Sequence, residues 1–131
     1  LENNLNVLFC IGETIKEKKE KKTKKILSTQ IKKGLKKIKN IKNIIIAYEP
    51  VWSIGTGIIP KNFELSKNIN NIKKILTKLK KSTNIKILYG GSVNSKNANE
   101  LAQIKEINGF LIGGASLSVK KFIDIIKKSI N

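Results

Sequence analysis

The residue whose type and setting most invite chemistry is Glu49, in the run Ile44-Ile45-Ile46-Ala47-Tyr48-Glu49-Pro50-Val51-Trp52-Ser53-Ile54-Gly55-Thr56-Gly57. An apolar, β-branched stretch of this kind fits a buried parallel strand. It stops abruptly in a carboxylate, a proline and a glycine-bearing loop. By strand alternation Ile45, Ala47 and Glu49 share one face, and Ile44, Ile46 and Tyr48 the other. A Glu at the C-terminal mouth of such a strand stands beside apolar walls, where desolvation raises a carboxyl toward the range of a general base. Taken alone, the position favours a solvated loop residue, because most Glu side chains are structural or solvated. Two further motifs shift the balance. Gly90-Gly91-Ser92 and Gly113-Gly114 each close a short apolar run. Lacking Cβ, glycines let backbone N–H groups approach an oxyanion closely, and a following helix N-terminus adds a favourable dipole. Either pair alone reads equally as a plain turn; two in succession after neighbouring strands point to a phosphate cradle. Ser92 adds a hydroxyl donor to that cradle or, more simply, caps a helix.

Composition narrows the chemistry. With 131 residues, 40% of them apolar, the chain is long enough for one domain with a core. The net charge of +18 raises the question of nucleic acid. However, all 27 basic residues are Lys, and Lys, Ile and Asn make up about half of the chain throughout. This pattern resembles a global bias more than a binding stripe, and Arg, which supplies the bidentate contacts of specific readers, is absent. Specific nucleic-acid binding is therefore not expected, although loose adhesion to polyanions at low salt is. The single Cys10 excludes an intrachain disulfide, suits a reducing cytosol and, inside Val7-Leu8-Phe9-Cys10-Ile11, reads as a small core hydrophobe. With no His, neither a Ser–His or Cys–His pair nor a typical His-bearing zinc site can be built. No apolar run approaches 18 residues and no signal-peptide pattern is present, so a cytoplasmic chain without membrane association is expected. Met is also absent, including at position 1, which leads to the expectation of a fragment.

The elements that must position these residues follow in order. Leu1 to Asn6 reads as a connector or helix end, and residues 7–11 as a short buried strand followed by Gly12-Glu13-Thr14. From Thr14 to Lys39 the spacing of Ile26, Leu27, Ile31, Leu35 and Ile38 predicts a Lys-rich helix with one buried stripe. Residues 44–48 form the second strand. Leu65, Ile69, Ile72, Leu76 and Leu79 predict a second helix starting near Lys61 or Asn62, with Asn62 a candidate cap. Lys86 to Tyr89 is the third strand, and Lys96 to Ile104 a short helix burying Ala98, Leu101 and Ala102. Gly109 to Ile112 is the fourth strand. Val119 to Ser129 is the last helix, burying Val119, Phe122, Ile123, Ile126 and Ile130. Strict alternation over four strand–helix units predicts an α/β fold with a parallel sheet and right-handed crossovers, without a domain boundary from 1 to 131. Glu13, Glu49 and both Gly-Gly pairs then fall on the carboxyl edge of the sheet, where ligands of α/β folds bind.

The segments Cys10-Ile11-Gly12-Glu13, Ala47 to Gly57, Leu88-Tyr89-Gly90-Gly91-Ser92-Val93 and Gly109-Phe110-Leu111-Ile112-Gly113-Gly114-Ala115-Ser116-Leu117 resemble, in order and spacing, the signature segments of triosephosphate isomerase. The resemblance runs over the whole chain and covers the family's second half, strands five to eight of a (β/α)8 barrel. It implies that Glu49 shuttles a proton between the two carbons flanking an enediol, interconverting dihydroxyacetone phosphate and glyceraldehyde 3-phosphate without a cofactor. It implies phosphate contacts from Gly55, Ser92, Gly113 and Gly114. Residues 50 to 59, including Pro50, Val51, Trp52, Ile54, Thr56 and Gly57, become a lid that Tyr89 and Ser92 hold closed. Glu13 pairs with the Trp52 indole when the lid is open. The implied partners are a triose phosphate substrate, the N-terminal half-barrel and, in the complete protein, a second subunit, since the family is usually dimeric.

The departures carry expectations of their own. The family's electrophilic His and its substrate-binding Lys and Asn lie in its first half, and this chain has no His. These 131 residues alone are therefore not expected to turn over. The distal hinge, commonly Lys-Thr-Ala, reads Ile58-Ile59-Pro60, and a proline there lacks the N–H with which the Tyr89 hydroxyl would pair. Ser53 stands where Ala is usual and Lys86 where Arg is usual; both look tolerable. The alternatives are a non-catalytic phosphate-binding half-barrel, and a basic nucleic-acid-binding domain that has charge but no stripe of basic and aromatic residues.

Overall fold

The computed structural model describes residues 5–81 and 84–130. Their elements run β1 (Val7–Ile11), α1 (Ile15–Lys19), α2 (Thr23–Gly34), β2 (Ile44–Tyr48), α3 (Asn62–Lys80), β3 (Ile87–Tyr89), α4 (Ala98–Ala102) and α5 (Val119–Ser129). Short 3-10 turns occupy Val51–Ser53 and Gly114–Leu117. The strands pair in parallel in the order β1-β2-β3, with Val7 opposite Ile44, Ile11 opposite Tyr48, and Tyr48 opposite Tyr89. Parallel pairing in sequence order requires each connection to cross over, and α2 and α3 supply the two crossings. On the helix-covered face Ile44, Ile46, Tyr48, Ile87 and Tyr89 interlock with Leu27, Ile31, Leu65, Ile69, Ile72 and Leu76 in one buried cluster. Branched aliphatic residues dominate it, as the pleated face of a buried sheet favours.

The sequence reading needs correcting at several points. The described residues form three strands, not four. Gly109 to Ile112 makes one parallel bridge, Tyr89 to Phe110, held by the Tyr89 amide donating to the Gly109 carbonyl and the Leu111 amide donating to the Tyr89 carbonyl. Gly109, at φ +150°, offers no side chain to pack, and no strand lies on its far side to extend the ladder. The single helix expected over 14–39 is two. α1 buries nothing, and Lys21 turns into the left-handed region at φ +56° before α2 begins. A capping box between Thr14 and Glu17 holds the start of α1, so local bonds sustain this turn where packing does not. Asn62 is not a cap: Lys61 precedes α3 without a side-chain bond, and the Asn62 amide donates to Glu100 at 2.6 Å. Leu1 to Asn4 of the expected connector lie outside the described residues.

The largest difference concerns α5. Of its apolar residues only Ile125 is buried; Val119 and Ile130 are each 76% exposed, and Phe122, Ile123 and Ile126 are also open. The helix is apolar on more than one side, and only one side meets the sheet and α4. Helices cover one face of the sheet, while Leu8 and Cys10 on the other, inner face are likewise exposed among the described residues. Leu79, the last residue of the stripe expected on α3, is exposed as well.

One backbone approach fixes how β1 and β2 end together. A Cβ on Gly12 would sit 1.8 Å from the Glu49 carbonyl oxygen, with only backbone atoms to yield. The Gln30 side chain clamps the same loop from α2, accepting from the Gly12 amide at 3.0 Å and donating to its carbonyl at 2.9 Å. Gly12→Ala therefore forces the two strand ends apart and should cost about 3 kcal/mol, at the upper end for overpacking. A urea-denaturation midpoint unchanged from wild type would contradict this close fit.

Candidate active site

The carboxyl ends of the three strands deliver Glu13, Glu49 and Gly90-Gly91-Ser92 to one edge, and the loop after the Phe110 bridge delivers Gly113 and Gly114. Glu49 is half-buried, and its amide donates to the Ile11 carbonyl at 2.8 Å, so it continues the β1–β2 ladder by one bond. Its side chain lies against Gly90, where a Cβ would come within 2.7 Å of the Glu49 Cγ and 2.8 Å of its Oε1. That glycine is what allows the carboxylate to lie across the end of β3. Glu49, Gly55, Gly90, Gly91, Ser92, Gly113 and Gly114 all line one hollow of about 330 Å³. The carboxylate and the two glycine pairs singled out in the sequence thus surround one space large enough for a small anionic substrate. Ile54 and Gly57 border it from the loop side.

Neither glycine pair leads directly into a long helix. Five residues separate Ser92 from α4, and a 3-10 turn separates Gly113 from α5. An anion at this edge would therefore meet loop N–H groups and not long helix dipoles, and no Lys among the described residues lines the hollow.

Pro50, Val51, Trp52, Ile54, Thr56 and Gly57 form a folded loop over the site. Pro50 is buried, Val51 and Ile54 are exposed, and the Thr56 hydroxyl staples the turn by donating to the Trp52 carbonyl at 3.0 Å and accepting from the Ile58 amide at 3.2 Å. Gly55 and Gly57 take φ +70° and +78°, values that favour glycine. At the proximal end the Trp52 Nε1 donates to Glu13 Oε1 at 2.9 Å, and the Lys18 ammonium lies 3.7 Å from the indole centroid. Glu13 is fully buried, and the Val51 amide donates to its carbonyl at 3.0 Å. The Tyr48 hydroxyl also donates to the Glu13 carboxylate, at 3.1 Å, while accepting from the Asn68 amide at 2.9 Å. Burial, the neighbouring Glu13 charge and the bond to Glu13 push the Tyr48 phenol far up against the opposing Asn68 bond, so it stays a donor at any physiological pH.

At the distal end the Gly57 amide donates to the Ser92 hydroxyl at 2.9 Å, and Ser92 in turn donates to the Ser53 carbonyl. Ser92 sits at φ +46°, an unusual conformation for serine, which turns its hydroxyl to the loop; it caps no helix. Tyr89 meets Ser53 at 3.0 Å. Burial chiefly pushes the Tyr89 phenol up to about 12. The Glu13–Trp52 pair, assigned at the sequence level to an open lid, thus coexists with the Ser92 and Tyr89 contacts assigned to a closed one. These contacts are not alternatives in this geometry.

Three contributors escaped the sequence reading. Ser53 was treated as a tolerable replacement. Asn68 lay in a helical pattern as an unremarked polar residue. Cys10 was read as core, yet it is exposed on the inner face, and burial of part of its surface, its hydrogen bond to Glu49 and the Glu49 charge raise the thiol to about 11. The signal for Cys10 was available in the register: it lies opposite Ala47, on the face that carries Glu49. Because a raised thiol pKa favours the neutral form, at pH 8 Cys10 should hold about a hundredfold less thiolate than an unshifted thiol. Iodoacetamide alkylation should accelerate up to about pH 11, and Glu49→Gln should bring that rise to lower pH. A profile that levels off near pH 9 in the wild type would contradict the contact.

Among the described residues no three His, Cys, Asp or Glu side chains converge to hold a metal, and no helix is long and apolar enough to cross a membrane. Comparison with known proteins supplies the family. Residues 1–129 match the family model described as triosephosphate isomerase. The chain belongs to the triosephosphate isomerase family. It is 38% identical over 130 residues to the triosephosphate isomerase of the yeast Debaryomyces hansenii, covering 97% of this chain and 52% of that protein. It is 41% identical over 131 residues to that of Coprinopsis cinerea and 41% identical over 130 residues to that of Lawsonia intracellularis, in each case over 96% of this chain and 52% of the relative. The chain therefore spans about half the length of the curated isomerases it matches.

Proposed function

We propose that this chain supplies strands five to eight of a triosephosphate isomerase barrel. In the completed barrel it interconverts dihydroxyacetone phosphate and glyceraldehyde 3-phosphate. Glu49 removes a proton from the carbon beside the substrate carbonyl and returns it to the neighbouring carbon, so that an enediol lies between the two steps. The phosphate rests against Gly55, Ser92, Gly113 and Gly114. Residues 50–59 act as a lid that excludes water, a device best known from triosephosphate isomerases themselves. Exclusion matters because an enediol phosphate exposed to water loses its phosphate. The observation that carries this reading is the placement of the Glu49 carboxylate on the same hollow as both glycine pairs.

The N-terminal half-barrel contributes the electrophile, since no His stands in this chain. It also covers the open face of Leu8, Cys10 and α5. The reaction needs no organic cofactor or metal. The complete protein works in the cytoplasm as a homodimer, engages no specific nucleic acid and stays off membranes. The absence of His also favours a second reading, a phosphate-binding half-barrel without turnover. Isomerisation in D2O separates the two: with a first half supplied, solvent deuterium should enter the product at the carbon that Glu49 serves. Phosphate binding without any deuterium uptake would establish the second reading.

A further inference from the structure

The geometry points to Ser53 as a positioning residue that pins the lid shut, by a hydroxyl bridge between the lid's return limb and β3. This inference rests on the reading of residues 50–59 as a lid. Ser53 and Tyr89 are both fully buried. The Ser53 hydroxyl donates to the Ile58 carbonyl, which leaves its oxygen to accept from the Tyr89 hydroxyl at 3.0 Å. The Ser53 carbonyl meanwhile accepts from Ser92, whose oxygen accepts from the Gly57 amide. Residue 53 is thus tied on both sides, by side chain and by backbone, to the two ends of the Tyr89-to-Ser92 segment.

The return limb itself offers few donors here. Thr56 already engages the Ile58 amide, and Pro60 has no N–H. A side chain that donates and accepts at once fits this place, and alanine would leave the buried Tyr89 hydroxyl without this partner and release the carbonyl of the exposed Ile58 to water. The segment also leaves room for the bridge. A Cβ on Gly91 would stand 2.5 Å from the Ser53 Oγ and 2.6 Å from the Tyr89 hydroxyl. Gly91 therefore makes space for the pin as well as lining the hollow.

The test is amide hydrogen exchange on the full chain, read at Gly57 in the loop and at Ile46 in β2. Ser53→Ala should speed exchange at Gly57 about tenfold and leave Ile46 unchanged. Tyr89→Phe, which removes the other hydroxyl, should do the same, and the double variant should be no faster than the faster single. An unchanged Gly57 rate in both variants overturns the inference. So does equal acceleration at Ile46, which marks a merely structural role, or a wild-type Gly57 rate already at the unfolded limit. Millimolar inorganic phosphate separates the lid reading from the pin: phosphate that leaves wild-type Gly57 exchange unaltered tells against a lid, whereas a Ser53→Ala acceleration in the same samples still supports the pin.

Discussion

Glu49→Gln should lower kcat of the completed barrel by about 10²- to 10⁴-fold, the range in which a positioned general base contributes. Gln keeps the length and polarity of the side chain, and Gly90 leaves it the same space. It removes the negative charge and the basicity with which the carboxylate takes the proton, since an amide oxygen accepts hydrogen bonds but not protons near neutral pH. The groups assigned to phosphate, Gly55, Ser92, Gly113 and Gly114, line the same hollow but are untouched by the substitution. KM should therefore stay within about threefold, since the lost interaction belongs to the transition state. A variant that keeps kcat within tenfold while KM rises sharply would make Glu49 a binding residue instead. The Cys10 alkylation profile offers an independent check, because it reports the same carboxylate without any need for turnover.

The isolated 131-residue chain should turn over at least about 10²-fold more slowly than the completed barrel, and should self-associate. The first expectation follows from chemistry: a base can remove a proton, but with no electrophile facing it the charge developing on the substrate oxygen goes unstabilised, and loss of one such donor costs about 10²- to 10³-fold. The second follows from surface. Among the described residues Leu8, Val119, Phe122, Ile123, Ile126 and Ile130 expose apolar surface on the inner sheet face and on one side of α5. Contiguous apolar surface and an uncovered sheet edge invite pairing with another chain. The high positive charge opposes association by repulsion, so self-association should strengthen as salt screens it. Sedimentation over a salt series, with binding of a hydrophobic dye, measures this directly. A dilute monomer that binds no dye at any salt concentration would contradict it.

The sequence revealed those parts of the molecule in which composition and position coincide. The apolar runs of β1 and β2 set their bounds to the residue, because nothing else in the chain is so uniformly apolar over five positions. Helix α3 was equally legible, its stripe repeating at three and four from Leu65 to Leu76. The fourth strand misled because Phe110, Leu111 and Ile112 look like a strand, while what they lack is a neighbour on the far side. The same absence accounts for α5, whose apolar residues were counted as core although most meet no partner in this chain. Local composition also hid the break near Lys21: Lys and Glu suit a helix throughout, and only the backbone at φ +56° marks the interruption. At the site, Glu49, the glycine pairs and the Glu13–Trp52 pair could be read from motifs. Ser53 and Cys10 could not, because their importance lies in a neighbour across the sheet edge and not in their own type.

The most direct measurement is a coupled isomerase assay on the chain mixed with a first half-barrel, for instance that of the Debaryomyces hansenii relative, beside each half alone and beside the mixture carrying Glu49→Gln. Turnover should appear only when both halves are present and should fall by at least a hundredfold with the Gln variant. Near-normal rates from the chain alone, or a mixture indifferent to Glu49→Gln, would contradict the placing of the catalytic base in this half of a shared active site.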